Sequence, residues 1–301
     1  MKFLITGASG LLGQGLLRYI STLGTHEIVG LLHHHPSRFV HHNIHMVTAD
    51  LRDEGRIDQI IHDEKPDVVI HTAGLTSVDE CEKNPEYAFL INTEIPRRLA
   101  HLCHQNQIRF IFISTDHITD GRQALFSEDV VISPVNIYAQ TKAQAEHFVG
   151  QAYPESLIIR TNFFGKGLPW RQSLTDWIWQ KLSAGESVPA FIDSWVSPLS
   201  VPYLSKALYD LSPLKVRGIL HVGGRERISK YDFALKAAQH FGFNPTLVVP
   251  TPMASVKLQA PRPPDMSMNV SRAESYLGYA LPDIDQSLSS IRAEYQGQDG
   301  H

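Results

Sequence analysis

The sequence predicts an α/β protein built on a doubly wound parallel sheet, with a smaller C-terminal portion appended. Three observations carry this. Short β-branched runs alternate with longer amphipathic segments through the first 160 residues, the order expected of strands and covering helices. The runs are apolar throughout, as in strands covered on both faces, and lack the polar alternation of a half-exposed sheet. A glycine-rich turn, Gly7-Ala8-Ser9-Gly10-Leu11-Leu12-Gly13, follows the first run directly and opens the first amphipathic segment.

Taken in order, strands are expected at 2–6, 27–32, 44–47, 67–71 and 109–114, with helices at 11–22, 52–63 and 86–105 between them. A helix at 136–151 and a strand at 157–161 continue the alternation. Beyond Thr161 the texture changes: Gly165, Gly167 and Pro169 interrupt the pattern, and Pro189, Pro198 and Pro202 punctuate the next forty residues. A strand at 218–222 and a helix at 229–241 stand out. A proline-rich stretch from Pro245 to Pro264 then precedes two short helices. We read residues 1–160 as one domain and 161–301 as mainly a second, substrate-binding portion, with some segments returning to the main sheet.

Composition excludes several classes. The net charge of −4 is wrong for a protein that binds nucleic acid by neutralising phosphates. No run approaches the length of a membrane span, and MKFLITGASG lacks the long apolar core of a signal peptide. Two cysteines, Cys81 and Cys103, do not make a disulfide framework, so a reduced, cytoplasmic protein is expected.

The glycine turn has a specific chemistry. Glycines allow a tight turn and close approach of the backbone to a pyrophosphate, while the following helix offers unpaired N–H groups and its positive dipole end. The candidate cradle is Gly7, Ser9, Gly10, Leu11 and Leu12, in what is then a Rossmann-type dinucleotide domain. A carboxylate after the second strand would select NAD through the ribose 2′-hydroxyl, and an arginine would accommodate the NADP phosphate. Here the strand runs into Leu32-His33-His34-His35-Pro36-Ser37-Arg38 without a carboxylate, so the cofactor expected is NADP(H), with His34 and Arg38 near the phosphate. Asp50 and Leu51 are placed to meet the adenine, although Asp50 could equally cap a helix. The dense histidines between His33 and His45 lack cysteine or H-x-E companions, and no metal site is expected.

Asn136-Ile137-Tyr138-Ala139-Gln140-Thr141-Lys142 contains Y-x-x-x-K, which on a helix places both side chains on one face, one turn apart. An ammonium beside a phenol favours the phenolate, so the tyrosine pKa is expected to fall and proton transfer to become accessible near neutral pH. Ser114-Thr115-Asp116 ends an expected strand, where sheet ligands gather, and Thr115 could hydrogen-bond the reacting carbonyl while Tyr138 protonates it.

Together with His71-Thr72-Ala73-Gly74, these motifs resemble the extended short-chain dehydrogenase/reductases, and within them the dTDP-4-dehydrorhamnose reductase family. That family carries S-T-D-Y-V-F-D-G, then an acidic residue, a proline and Y-G-x-[ST]-K. This chain has Ser114-Thr115-Asp116-His117-Ile118-Thr119-Asp120-Gly121, then Glu128-Asp129, Pro134 and Tyr138–Lys142. The segment Thr76-Ser77-Val78-Asp79-Glu80-Cys81-Glu82, Asn92, Ser197-Pro198, Arg262-Pro263 and Ser271-Arg272 match further blocks. The resemblance implies hydride transfer from NADPH to the 4-keto group of a nucleotide-linked deoxysugar. Thr115, Tyr138 and Lys142 would be catalytic, and Asp116 would help position the sugar. It further implies that Thr72, Ala73, Gly74 and Asn92 line the cofactor site, with Tyr138 and Lys142 also reaching the cofactor. Thr76, Val78, His117, Phe163 and Arg262 would meet substrate. Four departures, at His117, Thr119, Phe163 and Met266, fall where substrate should be read.

Two alternatives stay open: an epimerase that retains NAD, and a non-catalytic subunit that binds NADP. The partner expected is a small-molecule nucleotide sugar and at most a second copy of the chain, with neither nucleic acid nor membrane. The NADP expectation is checked by replacing Arg38 with alanine. NADPH binding should weaken by about 1.5–3 kcal/mol, the worth of one charged hydrogen bond, with NADH binding nearly unchanged. Equal affinity of the unaltered protein for both cofactors would contradict it.

Overall fold

Phe3, Leu4 and Ile5 have no solvent exposure, so the first strand lies at the centre of the sheet with both faces covered. The computed structural model describes residues 1–37, 39 and 41–296. It begins with β1 (Lys2–Thr6), α1 (Leu11–Thr22), β2 (Glu27–Leu32), β3 (Ile44–Thr48), α2 (Glu54–Glu64) and β4 (Val68–His71). Next come α3 (Val78–Lys83), α4 (Pro85–Phe89), a π-helical turn at Leu90–Glu94, α5 (Ile95–Gln105), β5 (Arg109–Ile113), α6 (Ile137–Ala152) and β6 (Leu157–Arg160). The rest comprises β7 (Phe163–Phe164), α7 (Leu174–Ser183), β8 (Val188–Phe191), β9 (Trp195–Val196), β10 (Leu199–Ser200), α8 (Val201–Leu211) and β11 (Gly218–His221). It closes with β12 (Ile228–Ser229), α9 (Lys230–Phe241), β13 (Val248–Thr251), α10 (Ser271–Leu277) and α11 (Ile284–Gln296).

Seven strands form one parallel sheet in the order β11-β6-β5-β4-β1-β2-β3. The uniform apolarity of the runs follows from the two-sided burial. Phe3, Ile5, Val68, Ile70, Ile111 and Ile113 face a core shared with α1, α8 and α10. Leu4, Val69, Phe110, Phe112 and Ile158 face the other, closed by α2, α5 and α6. A third core, with Phe164, Ile178, Phe233, Phe241 and Tyr295, joins α7, α9, α11 and β8 away from the sheet.

Two local readings need correction. The helix expected at 86–105 is broken into α4, a π-helical turn and α5. Pro96 has no N–H for the helical bond back to residue 92 and its ring crowds the preceding turn, and the wider turn relieves this. Pro202, read as loop punctuation, lies in the first turn of α8, where a missing N–H costs nothing. Gly15 serves the contact of α1 with α8, since a Cβ there would lie 2.2 Å from Val201 Cγ1. Among the described residues no helix is long and apolar enough to cross a membrane, and no cluster of three metal-ligating side chains occurs.

Candidate active site

A cleft of about 760 Å³ opens at the C-terminal ends of β1, β4, β5 and β6. It sits at the switch point between β1 and β4, where strands run outward to either side. Its floor begins with the glycine turn. Gly7 has φ +65°, and a Cβ there would lie 2.8 Å from Ala73 N, so the left-handed turn and the tight approach to the end of β4 both require glycine. The Gly10 N–H closes the turn onto the Gly7 carbonyl at 2.8 Å. Helix α1 then starts with no side-chain cap and no acidic residue in its first turn, leaving its N–H groups and dipole available to an anion. Gly7, Ser9, Gly10, Leu11 and Leu12 line the cleft, as do Thr72, Ala73 and Gly74 opposite them. This arrangement fits a dinucleotide pyrophosphate.

The other half gathers around the end of β5. Thr115 and Asp116 are almost fully buried, and the Thr115 hydroxyl donates to Asp116 Oδ1 at 3.2 Å while accepting the His117 N–H at 3.2 Å. Asn162 Nδ2 donates to Asp116 Oδ2 at 2.6 Å. Tyr138 enters from the first turn of α6, whose start is set by Asn136. That side chain accepts the Ala139 N–H at 2.9 Å and donates to the Pro261 carbonyl at 2.9 Å. His117 packs edge-on to Tyr138 at 5.6 Å, and burial lowers its imidazole pKa, against the pull of Asp116. Thr76, Val78, His117 and Phe163 complete the sequence-expected residues that line the cleft.

The electrostatics of the Tyr138–Lys142 pair differ from the expectation. Burial pushes the Tyr138 phenol up to about 12, with the Thr115 hydroxyl working against the rise. Lys142 does not lower it. The Lys142 ammonium lies beneath the cleft, donating to the Ile113 carbonyl at 2.6 Å and standing 4.0 Å over the Phe112 ring. Burial lowers its pKa to about 7, opposed by Glu146 one turn along the helix. Tyr138 is therefore a phenol that keeps its proton at neutral pH.

Five further expected residues do not line the cleft. Asn92 is buried behind it, donating to the Leu75 carbonyl at 2.9 Å and accepting the Leu75 N–H at 2.8 Å, so it pins the loop after β4 instead of meeting a ligand. Asp50 is tied to Arg52, and Leu51 lines a separate groove with residues of α2 and α5. His34 packs on His33 outside the cleft, where its neighbour His35 takes its place. Arg262 pairs with Asp79 at 2.8 Å. Arg38 lies outside the described residues. Of the four departures, only His117 and Phe163 reach the cleft. Met266 is buried in the third core, and the Thr119 hydroxyl accepts the Gly121 N–H at 3.4 Å.

Sequence reasoning missed residues supplied by the C-terminal portion. Trp170 stacks on His35 at 4.7 Å, Arg171 donates to Thr76 Oγ1, and Lys230 lines the cleft from the start of α9. Trp170 and Arg171 lie in a loop marked only by the glycine and proline break after Thr161, and Lys230 starts the helix read at 229–241, whose pattern does not say that this side chain reaches the cleft.

An α/β sheet whose switch-point cleft combines an uncapped glycine turn with a threonine, a tyrosine and a buried lysine defines a short-chain dehydrogenase/reductase architecture. Residues 1–296 match the family model described as the RmlD substrate binding domain. A probable low-salt glycan biosynthesis reductase, Agl14, from Haloferax volcanii is 31% identical over 299 residues, covering 98% of each chain. The crystal structure of a hypothetical dTDP-4-dehydrorhamnose reductase from Sulfolobus tokodaii superposes with a TM-score of 0.80 at 33% identity, over 95% of this chain and 98% of that one. A dTDP-4-dehydrorhamnose reductase from Bacillus anthracis, solved in complex with NADP, gives 0.82 at 22% identity, over 97% and 99%. The chain belongs to the RmlD substrate-binding family, the dTDP-4-dehydrorhamnose reductase branch of the extended short-chain dehydrogenase/reductases.

Two glycines of the turn separate binding from folding. A Cβ at Gly13 would lie 2.2 Å from the Gly7 carbonyl oxygen, whereas one at Gly10 has only that oxygen near it, at 3.1 Å. Gly13→Ala should therefore destabilise the protein by about 1–3 kcal/mol in urea unfolding. Gly10→Val should leave a folded protein that no longer binds NADPH in calorimetric titration. Normal affinity in a folded Gly10→Val variant would remove the pyrophosphate assignment.

Proposed function

We propose that this chain reduces the 4-keto group of a nucleotide-linked deoxysugar with NADPH, Tyr138 giving the proton with help from Lys142 and Thr115. The observation that carries the reading is the meeting of Thr115, Asp116 and Tyr138 in the same cleft as the uncapped start of α1. The cofactor, when bound, supplies a hydride to the carbonyl carbon. Gly7, Ser9, Gly10, Leu11 and Leu12 would hold its pyrophosphate. Support for NADPH over NADH comes from the turn after β2, which carries histidines and no carboxylate.

The chain's own groups divide the remaining work. The Thr115 hydroxyl, already oriented by Asp116 and the His117 N–H, can turn its proton to the substrate oxygen and fix the carbonyl against Tyr138. Tyr138 holds a proton at neutral pH, as reduction requires, and releases it to the oxygen as negative charge develops there. Lys142, on the same helix face with its ammonium held beneath the cleft and its pKa lowered to about 7, would return a proton to Tyr138 after each transfer. His117 and Phe163 line the same cleft and would meet the sugar.

The test follows NADPH oxidation against a panel of 4-keto sugar nucleotides. Tyr138→Phe keeps the ring packing and should lower turnover by roughly 10²–10⁴, the usual worth of a positioned acid. Thr115→Val should cost less. A protein that binds NADPH tightly yet oxidises it with none of the panel would favour a binding subunit. Full activity in Tyr138→Phe would remove the assignment of the proton donor.

A further inference from the structure

Lys230 is the first residue of α9, the helix that carries the third core up to the cleft, and its side chain lines the cleft. Its backbone is fixed by the Lys230 N–H donating to the Ser194 carbonyl at 2.9 Å. Among the described residues its ammonium has no hydrogen-bond or ion-pair partner, and it stands 5.9 Å from the centroid of the Phe191 ring. Other cations of this region are matched: Arg262 by Asp79 at 2.8 Å and Arg227 by Asp265 at 2.7 Å. Arg171, the second lysine or arginine lining the cleft, has only the Thr76 hydroxyl.

Asp116 is the one carboxylate among the lining residues, and its two oxygens are engaged by Thr115 and Asn162. Burial lowers the Lys230 pKa, while Asp116 pulls it back, which places the ammonium within electrostatic reach of the strand end that carries Thr115. A partly desolvated cation with a carboxylate in electrostatic reach but no direct ion-pair partner remains costly, and an entering anion offsets that cost. Lys230 and Arg171 thus line the cleft without a direct ion-pair partner among the described residues. The pyrophosphate cradle on α1 is a separate anion site at its other end.

We propose that Lys230, with Arg171 across the cleft, grips the diphosphate of the nucleotide-linked substrate. The inference rests on the proposed reductase reading, in which the keto oxygen lies at Thr115 and Tyr138. The diphosphate, attached across the sugar ring, then falls toward α9 and the loop bearing Arg171. An ammonium on a flexible stem suits a phosphate as a point charge, and the Arg171 guanidinium can bind one through paired donors. Lys230 is a binding residue in this account and takes no part in proton transfer.

The experiment uses calorimetric titration of the NADPH-saturated chain with dTDP, UDP and GDP, taking the tightest, and with its phosphate-free nucleoside as the control. Lys230→Met should weaken diphosphate binding by about ten- to a hundredfold, the worth of a charged hydrogen bond. Nucleoside and NADPH affinities should stay within about twofold. Lys230→Arg should restore most of the loss, and Lys230→Gln provides a polar variant should the methionine variant fail to fold. Unchanged diphosphate affinity in Lys230→Met or Lys230→Gln would overturn the inference and leave the reductase reading standing. An equal loss for nucleoside and diphosphate would also overturn it. Should the unaltered protein bind none of the three diphosphates, the nucleotide-sugar reading itself fails, and this inference with it.

Discussion

The ammonium of Lys142 is buried beneath the cleft, donating to the Ile113 carbonyl at 2.6 Å with the Phe112 ring 4.0 Å below. One turn along α6 lies Glu146, itself buried and clamped by Arg160, whose Nη2 reaches Glu146 Oε2 at 2.7 Å. Ser114 donates to the same carboxylate at 2.6 Å. Arg160 ends β6 and Ser114 follows β5, so this one carboxylate ties two strand ends to the helix that carries Tyr138 and Lys142. A buried charge group of this kind is a poor source of net stability, because desolvation consumes most of the attraction. Its use is positional. It fixes α6 against the strand ends and opposes the loss of the Lys142 proton.

The same group explains why the expected phenolate does not appear. Tyr138 and Lys142 share a helix face, as the spacing requires, yet the ammonium is drawn down to Ile113 while the phenol projects into the cleft. Burial then acts on each separately, raising Tyr138 and lowering Lys142. The two pKa values are displaced in opposite directions from their ordinary ones. At neutral pH the phenol keeps its proton and the lysine is poised to gain or lose one. For a reaction that must deliver a proton, this is the useful arrangement.

Much of the fold and of the cleft is legible in the sequence because the signals are local. The strands that cross the two cores read as uninterrupted apolar runs, and the glycine turn falls between a strand and a helix. Tyr138 and Lys142 declare themselves by a four-residue spacing. The illegible features depend on tertiary placement. Asn92 reads as a polar residue near a cofactor loop, but nothing in its neighbours says that it faces the loop from behind. Asp50 looks placed for an adenine until Arg52 is seen to occupy it. The cations Arg171 and Lys230 lie far apart in sequence and share a cleft only because α9 and the loop after β7 both border it. The π-helical turn before Pro96 escapes notice because a long amphipathic pattern hides a local change of pitch.

The central claim is that Lys142 is a desolvated ammonium whose proton is held weakly enough to be exchanged at neutral pH. A titration of the Lys142 Cε chemical shift by carbon-13 lysine labelling measures this directly, the resonance being assigned by its absence in Lys142→Met. The account predicts a midpoint near the about 7 set by burial and Glu146, far below the other lysines. A midpoint at the ordinary lysine value of about 10.4 would contradict it.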